Sequence, residues 1–452
     1  MTSSTYQTKH QPRFVAVLGA GESGEAAAGL LAASGVAVTV LDSAPEERLR
    51  AKIDALAARG IRVVAGPAAE VDETPYDLVV LSPGIDPAVP LVRHFIQRGI
   101  EMTGELELAY ERCLCPVIAI TGTNGKTTTT QLIETMLNGC GMRTVAAGNI
   151  GPAFSARVEQ SKDLDIMTLE VSSFQLETIR SFRPKVAVWL NFAPDHLDRY
   201  PSMDEYYAAK ARIFENQTEE DWAVVKLGDK LPPLKARTLT FSGYASGGDF
   251  ELAEGVICFR GQPVLAMREV QLRGTHNAEN LMAALATGHA LGLTFDQMRV
   301  PLAAYKALPH RCELVRTLND VDYVNDTKAT NLDAMEKALV SETRPVVLIA
   351  GGKDKGFEFD SITSLVASKC RAVILIGEMA ERIAAFWKDY VTCVMAGWSL
   401  EEAVKLAHQH AKPGDVVLLS PGTSSFDMFK NYAERGNQFR TFVNALPESD
   451  QP

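Results

Sequence analysis

The chain has 452 residues, 46% of them hydrophobic, which fits about three domains of a globular protein with several cores. Its formal charge of −11 argues against nucleic acid or an anionic membrane as the main partner. Seven scattered cysteines include no Cys-x-x-Cys pair, although Cys113 and Cys115 are one residue apart. That favours reduced thiols in a cytoplasmic protein over a disulfide framework or zinc site. The first twelve residues are polar and no segment has the length and apolarity of a bilayer span, so neither a signal peptide nor a membrane anchor is expected.

Phe14 to Leu18 reads as a strand, followed by Gly19-Ala20-Gly21-Glu22-Ser23-Gly24 and an Ala/Leu-rich helix to about Ala33. Val36 to Leu41 is a second strand, ending in Asp42. This is the dinucleotide fingerprint, with an acid about 20 positions on for a ribose. A nicotinamide-dependent dehydrogenase is one reading; a Rossmann-like unit whose glycine turn holds another pyrophosphate is the other. Leu78 to Ser82 is a further strand, ending in Pro83-Gly84-Ile85, where glycine lets a ligand approach the strand end. Gly104 to Arg112 reads as a polar helix that closes a first unit, residues 1–110.

Pro116 to Ile120 is apolar and β-branched, as in a buried parallel strand, and Thr121 to Gly125 is turn chemistry. Helical spacing resumes at Thr127 and runs through Leu132, Ile133 and Met136. A strand, a glycine turn with a lysine, and a helix start make a phosphate cradle: Lys126 would reach the β/γ-phosphates and the Thr127 hydroxyl would sit on Mg²⁺. The general pattern asks for glycine at position 120, where the chain has Ile120; the form present is the compressed Gly122-Thr123-Asn124-Gly125-Lys126-Thr127, followed by Thr128. Downstream come Gly148-Asn149-Ile150-Gly151 and a strand from Asp165 to Glu170. Glu170 stands where a carboxylate holds a nucleotide-bound metal, or where an acid complements a helix start.

Val186 to Asn191 is the next strand, followed by Asp195-His196-Leu197-Asp198-Arg199-Tyr200. His196 is a metal ligand or a satisfied loop histidine. The helix Met203 to Asn216 carries Lys210 among Tyr206, Ala209 and Ile213. Such a lysine is solvated by default; desolvated beside a metal, its amine can lose a proton and combine with CO₂ as a carbamate, which ligates like a carboxylate. Residues 221 to 270 alternate short strands and turns, and Gly274 to Asn280 opens an Ala-rich helix whose polar start suits a base or ribose, or simple capping. A second unit, residues 111–309, ends there.

Leu308-Pro309-His310-Arg311 marks a boundary, and residues 310–452 form a third α/β unit. Strands over Pro345 to Ala350, Ala372 to Ile376 and Val416 to Leu419 carry polar residues at their carboxyl ends. Lys328 in Asp326-Thr327-Lys328-Ala329-Thr330-Asn331 and Lys355 in the following glycine loop suit an anionic ligand by the crevice rule for open sheets.

Taken in order, Thr121–Thr128, Gly148–Gly151, Glu170–Glu177, Asp195–Pro201, Ala208–Glu215, Leu308–Arg311, Asn325–Asn331 and Leu419–Gly436 resemble the Mur ligase family over nearly the whole chain. Within it, Asp326 to Asn331 and Lys430 to Gly436 are most similar to the members that add D-glutamate to UDP-N-acetylmuramoyl-L-alanine. The resemblance implies an α/β chain of three domains: a Rossmann-like unit for the UDP substrate, a central P-loop ATPase-type domain, and a Rossmann-like amino-acid domain. It implies a cytoplasmic, monomeric ATP-dependent ligase with Mg²⁺, two ions in all, acting in peptidoglycan precursor synthesis. Ser23, Asp42, Ser43 and Gly84 would hold the uridine diphosphate, with Asn149 reaching the rest of that ligand. Lys126 and Thr127 would bind ATP phosphates and the first Mg²⁺ with Glu170; His196 and a carbamylated Lys210 would hold the second. Asn280, Arg311 and Asp326 would contact ATP, and Lys328, Thr330, Lys355, Ser425, Phe426 and Tyr432 would surround D-glutamate. Two departures touch that last group: Ser420-Pro421-Gly422-Thr423-Ser424-Ser425 replaces the family's Ser-Pro-Ala-Cys-Ala-Ser, and Tyr432 stands where Phe is common.

Overall fold

A computed structural model of the chain describes residues 12–197, 199–272, 274–306 and 309–448. Leu308 of the expected boundary and Asp198 of the histidine segment lie outside these. The described residues form three sheets in succession. The first holds β1 (Phe14–Leu18), β2 (Ala37–Asp42), β3 (Arg62–Ala65), β4 (Leu78–Leu81) and β5 (Met102–Gly104), in the order β3-β2-β1-β4-β5, with every pair parallel. Val15 to Leu18 are fully buried because helices cover both faces of a parallel sheet. The order reverses between β1 and β4, and the loops after both strands, at Gly19 and at Pro83-Gly84, therefore open one crevice at their carboxyl ends.

The second sheet comprises β6 (Val117–Thr121), β7 (Ala146–Gly148), β8 (Met167–Glu170), β9 (Val186–Trp189), β10 (Trp222–Lys226), β11 (Arg237–Ser242), β12 (Phe250–Ala253), β13 (Val256–Phe259) and β14 (Gln262–Ala266). Its order is β14-β13-β12-β11-β10-β9-β6-β8-β7, parallel except for the β12–β13–β14 edge. β6 sits between β8 and β9 with Ile120 opposite both Glu170 and Val188, so the loop after β6 emerges between the ends of its neighbours. The Lys126–Gly139 helix buries Ile133, Met136 and Leu137 against Leu281 and Leu285 of the Thr275–Ala290 helix. That second helix is buried on nearly every side, which explains its small residues.

The third sheet holds β15 (Glu313–Leu318), β16 (Val321–Asn325), β17 (Val346–Gly351), β18 (Cys370–Ile376), β19 (Thr392–Gly397) and β20 (Val416–Leu419), in the order β15-β16-β20-β17-β18-β19. Only β15 runs antiparallel to its neighbour. Two expectations about helices change. Met203 to Ala211 is α-helical, but Arg212 to Phe214 tightens to a 3₁₀ turn short of Asn216. The Glu105–Tyr110 helix, expected to be polar, buries both acids, and each bonds to the second unit. Glu105 accepts from the Ser155 N–H (2.7 Å) and hydroxyl (2.6 Å). Glu107 accepts backbone N–H bonds from Arg180 (2.9 Å), Ser181 (2.6 Å) and Phe182 (3.1 Å).

Candidate active site

The phosphate loop is held from below before any ligand arrives. Asn191, just past β9, donates to the Asn124 carbonyl (3.0 Å) and accepts the Asn124 N–H (2.9 Å), while Thr123 donates to the Ala193 carbonyl (3.1 Å). Gly122 (φ 150°) and Gly125 (φ 85°) turn the chain in the left-handed region, and a Cβ would meet Leu190 Cβ at 2.9 Å and Asn280 Oδ1 at 2.5 Å. The first N–H groups of the Lys126–Gly139 helix, which have no intrahelical acceptors, then face the cleft.

Two lysines meet on one oxygen. Lys126 Nζ donates to the Gly122 (2.8 Å) and Thr123 (2.9 Å) carbonyls, and Lys210 Nζ donates to the same Gly122 carbonyl at 2.9 Å. Lys210 is 1% exposed, with its Nζ 4.8 Å from the Tyr206 ring centroid, so the solvated-lysine reading fails. Burial pushes both ammonium pKa values down, Lys210 furthest, and the Lys126 charge adds to the effect on Lys210. A neutral amine at Lys210 is the form that combines with CO₂.

Glu170 at the tip of β8 joins two sides of the site. Its Oε2 accepts the Thr127 hydroxyl (2.8 Å) and its Oε1 accepts from Asn149 Nδ2 (2.8 Å). His196 occupies a left-handed conformation (φ 56°) and packs edge-on to Phe174, with ring centroids 4.9 Å apart. Burial lowers its pKa to about 4, so the imidazole is neutral near pH 7 and retains a lone pair for a metal. Among the described residues no three His, Cys, Asp or Glu side chains form a ready-made cage. Glu170, Thr127, neutral His196 and Lys210 are instead a sparse oxygen and nitrogen set suited to a magnesium ion that keeps phosphate and water ligands.

Around this centre lie two clefts. Ser23, Asp42, Ser43, Gly84 and Asn149 all line one of about 900 Å³ between the first and second sheets. Asp42 contributes mainly by stiffening its wall: its carboxylate oxygens accept the Ala20 and Ala44 N–H groups, each at 2.8 Å. Asn124, Gly125, Thr128, Asn280, Arg311, Asp326 and Lys328 line the other, a narrow cavity of about 90 Å³ between the second and third sheets. The Thr275–Ala290 helix has Gly274 as its N-cap and no side-chain cap, so capping does not explain its polar start; Asn280 Oδ1 instead accepts from Thr129 (3.1 Å) below the phosphate loop. Asp326 is desolvated, which raises its pKa to about 6 against the hydrogen bonds from Ser420 (2.9 Å) and the Cys312 N–H (3.2 Å).

The remaining predicted residues divide. Lys328 lies with its Nζ 3.9 Å from the Tyr432 ring centroid, and burial, with Arg311 nearby, lowers its pKa to about 8. Ser425 is buried, Thr330 half-buried, and Phe426 is 67% exposed. Lys355 reaches across to the second unit and pairs with Asp195 at 2.8 Å. Asp195 was not singled out by residue type, yet it is the crossing point of the site. It also accepts from Asn331 Nδ2 (3.1 Å), and its own loop N–H, that of His196, bonds it at 2.9 Å. Burial pushes its carboxyl up, but His196, Lys355 and Asn331 outweigh that and hold it at about 2. Asn124 completes the bridge, donating to Asp333 of the third unit. Asn331 had one legible signal, a cap residue before Leu332; Asp195 had only its position beside His196.

Three parallel-sheet units with a phosphate loop at the central switch point define an α/β nucleotide-dependent enzyme, with a second ligand crevice beside that loop. The Mur ligase MurD-like N-terminal domain matches residues 13–104, the Mur ligase middle domain 120–288, and the Mur ligase glutamate ligase domain 310–422. The UDP-N-acetylmuramoylalanine–D-glutamate ligase of Geobacter metallireducens is 42% identical over 97% of this chain and 98% of its own. That of Trichlorobacter lovleyi is 43% identical over 95% and 98%. The chain belongs to the Mur ligase family, and these relatives place it in the D-glutamate ligase branch. Among solved structures, UDP-N-acetylmuramate–alanine ligase of Thermotoga maritima shares the fold at 17% identity with a TM-score of 0.63, over 96% of this chain and 100% of that one. The MurF ligase of the same organism, solved with ADP, gives 18% identity and a TM-score of 0.62 over 90% and 95%.

Proposed function

We propose that the chain is the ADP-forming ligase that joins D-glutamate to the L-alanyl carboxyl group of UDP-N-acetylmuramoyl-L-alanine in peptidoglycan precursor synthesis. The observation that carries the chemistry is the Asn149–Glu170–Thr127 chain, which links the wall of the wide crevice to the phosphate loop. A carboxylate delivered from the crevice and a γ-phosphate held by the loop therefore converge at Glu170. The dehydrogenase reading of Gly19 to Gly24 gives way to family membership, and the first glycine turn becomes the uridine diphosphate site.

Units 1–110, 111–309 and 310–452 carry the UDP substrate, ATP and D-glutamate in that order. We take the monomer as the working unit, in which one chain builds both clefts. A carboxylate is a poor electrophile, so the substrate carboxylate first attacks the γ-phosphorus of ATP, and ADP leaves. The unprotonated amine of D-glutamate then attacks the acyl phosphate, the nitrogen gives up a proton to a base or water, and phosphate leaves from the tetrahedral intermediate. Lys126 exchanges its loop carbonyls for phosphate oxygens, and its charge offsets the repulsion between triphosphate and carboxylate. Glu170 and Thr127 would hold one Mg²⁺ and His196 with carbamylated Lys210 a second, supplying further neutralisation of charge at the transferred phosphoryl group. Lys328 and Lys355 face the D-glutamate carboxylates, with Thr330, Ser425, Phe426 and Tyr432 around them. Contact of the third unit with the second excludes water from the acyl phosphate.

The test is phosphate release and peptide formation with ATP, Mg²⁺, UDP-N-acetylmuramoyl-L-alanine and single amino acids. Release with D-glutamate alone is expected. Release with L-lysine or diaminopimelate, or reduction of a nicotinamide, overturns the reading.

A further inference from the structure

Residues 111–116 connect the buried Glu105–Tyr110 helix to β6, the strand that delivers the phosphate loop. This connector carries two thiols side by side. Cys113 Sγ lies 4.0 Å from Cys115 Sγ, within hydrogen-bonding range for sulfur, and donates to the Cys115 carbonyl at 3.2 Å. Both side chains are half-buried against the second unit's core, while Leu114 between them is 76% exposed and has its N–H anchored on Ser161 Oγ at 3.0 Å. The anchor turns Leu114 out and both sulfurs to the same side. No step of the ligation uses them.

We propose that Cys113 and Cys115 are a reversible redox pair, oxidised to an intramolecular bridge by a small-molecule disulfide of the glutathione class. The Cys113 thiolate attacks one sulfur of the disulfide and expels the first thiol, leaving a mixed disulfide on Cys113. Cys115 then gives up its proton and attacks the Cys113 sulfur, closing the bridge and expelling the second thiol. Two cysteine thiols are oxidised and one disulfide is reduced to two thiols, so electrons and protons balance. The sulfurs need close only from 4.0 Å to about 2.05 Å. The division of labour follows from the environment: the hydrogen bond from Cys115 favours the Cys113 thiolate and lowers its pKa to about 7, whereas that of Cys115 is raised. Cys140, Cys312, Cys370 and Cys393 are all pushed the other way by burial. A bridge over one intervening residue closes a small ring, which belongs with labile, readily reduced disulfides.

The experiment uses the full chain, incubated near neutral pH with excess glutathione disulfide, quenched in acid, alkylated, digested and weighed. The peptide spanning 113–115 is expected to lose two hydrogens, carry no glutathione, and recover its mass with dithiothreitol. Cys115→Ser is expected to accumulate a glutathione adduct on Cys113, and Cys113→Ser to slow modification of Cys115 by about tenfold. If a serine variant does not fold, the wild-type mass loss and its reversal still decide. A reduced 113–115 peptide while other cysteines react, or Cys113→Ser reacting as fast as the parent, overturns the proposal.

Discussion

Two ammonium groups donate to the one Gly122 carbonyl, and burial together with the neighbouring Lys126 charge pushes the Lys210 pKa well below the ordinary lysine value, towards the neutral amine. Lys210→Ala should therefore abolish most turnover, with partial rescue by short-chain carboxylic acids that restore an oxyanion in the vacated space. Unchanged activity would remove Lys210 from the metal site. Lys126→Ala should lower kcat about a hundred- to a thousandfold, the size of a lost transition-state donor, with the UDP-substrate KM little changed; single-turnover phosphate release measures it. Lys328 gives the pH signature. With its pKa lowered to about 8, it is cationic below that value and loses charge as pH rises through it. KM for D-glutamate should then climb up to about tenfold between roughly pH 7 and pH 9, and Lys328→Ala should flatten that rise.

Elements differ in how plainly they announce themselves. β6 and β20 could be read almost to the residue, because strands buried on both faces are unbroken β-branched and apolar runs. The Glu105–Tyr110 helix misleads, since two acids two positions apart read as a polar face until Ser155 and the 180–182 backbone arrive from far along the chain to bond them. Edge strands such as β15 and β19 carry half-exposed, mixed residues and left no clear pattern. The phosphate loop, Glu170, His196 and Lys210 stand out in the sequence on particular elements, though residue type alone leaves the roles of the last three open, and the structure brings them together. Asp195 does not stand out, because its partner Lys355 is 160 positions away and the pairing exists only once two units meet. The Leu332–Ser341 helix shows the same dependence: Asn331 caps it by accepting the Ala334 N–H (2.9 Å) while its amide donates to Asp195. Asn331→Ala should cost about 1 kcal/mol of stability in urea melts, from the lost cap, and should weaken docking of the third unit as well.

At the scale of the whole molecule, a chain of charge −11 concentrates Lys126, Lys328 and Arg311 along one seam. The cavity at that seam holds about 90 Å³, against roughly 300–1,000 Å³ for ligand sites, so a nucleotide bound there, as proposed above, would need the third sheet to draw back from the second. Lys355 and Asp195 hold that seam shut. Lys355→Ala should speed association of a fluorescent nucleotide in stopped-flow while lowering turnover with D-glutamate. A slower association would show that the pair guides entry rather than closing the site.

The acids of the Glu105–Tyr110 helix have a bearing on how the machine is jointed. They rivet the first two bodies together through buried bonds, whereas the third is clasped by a few polar side chains. On the function proposed above, the protein would work as an anvil and a hammer: the first two units form a bed joined in advance, and docking of the third would set the timing of each stroke.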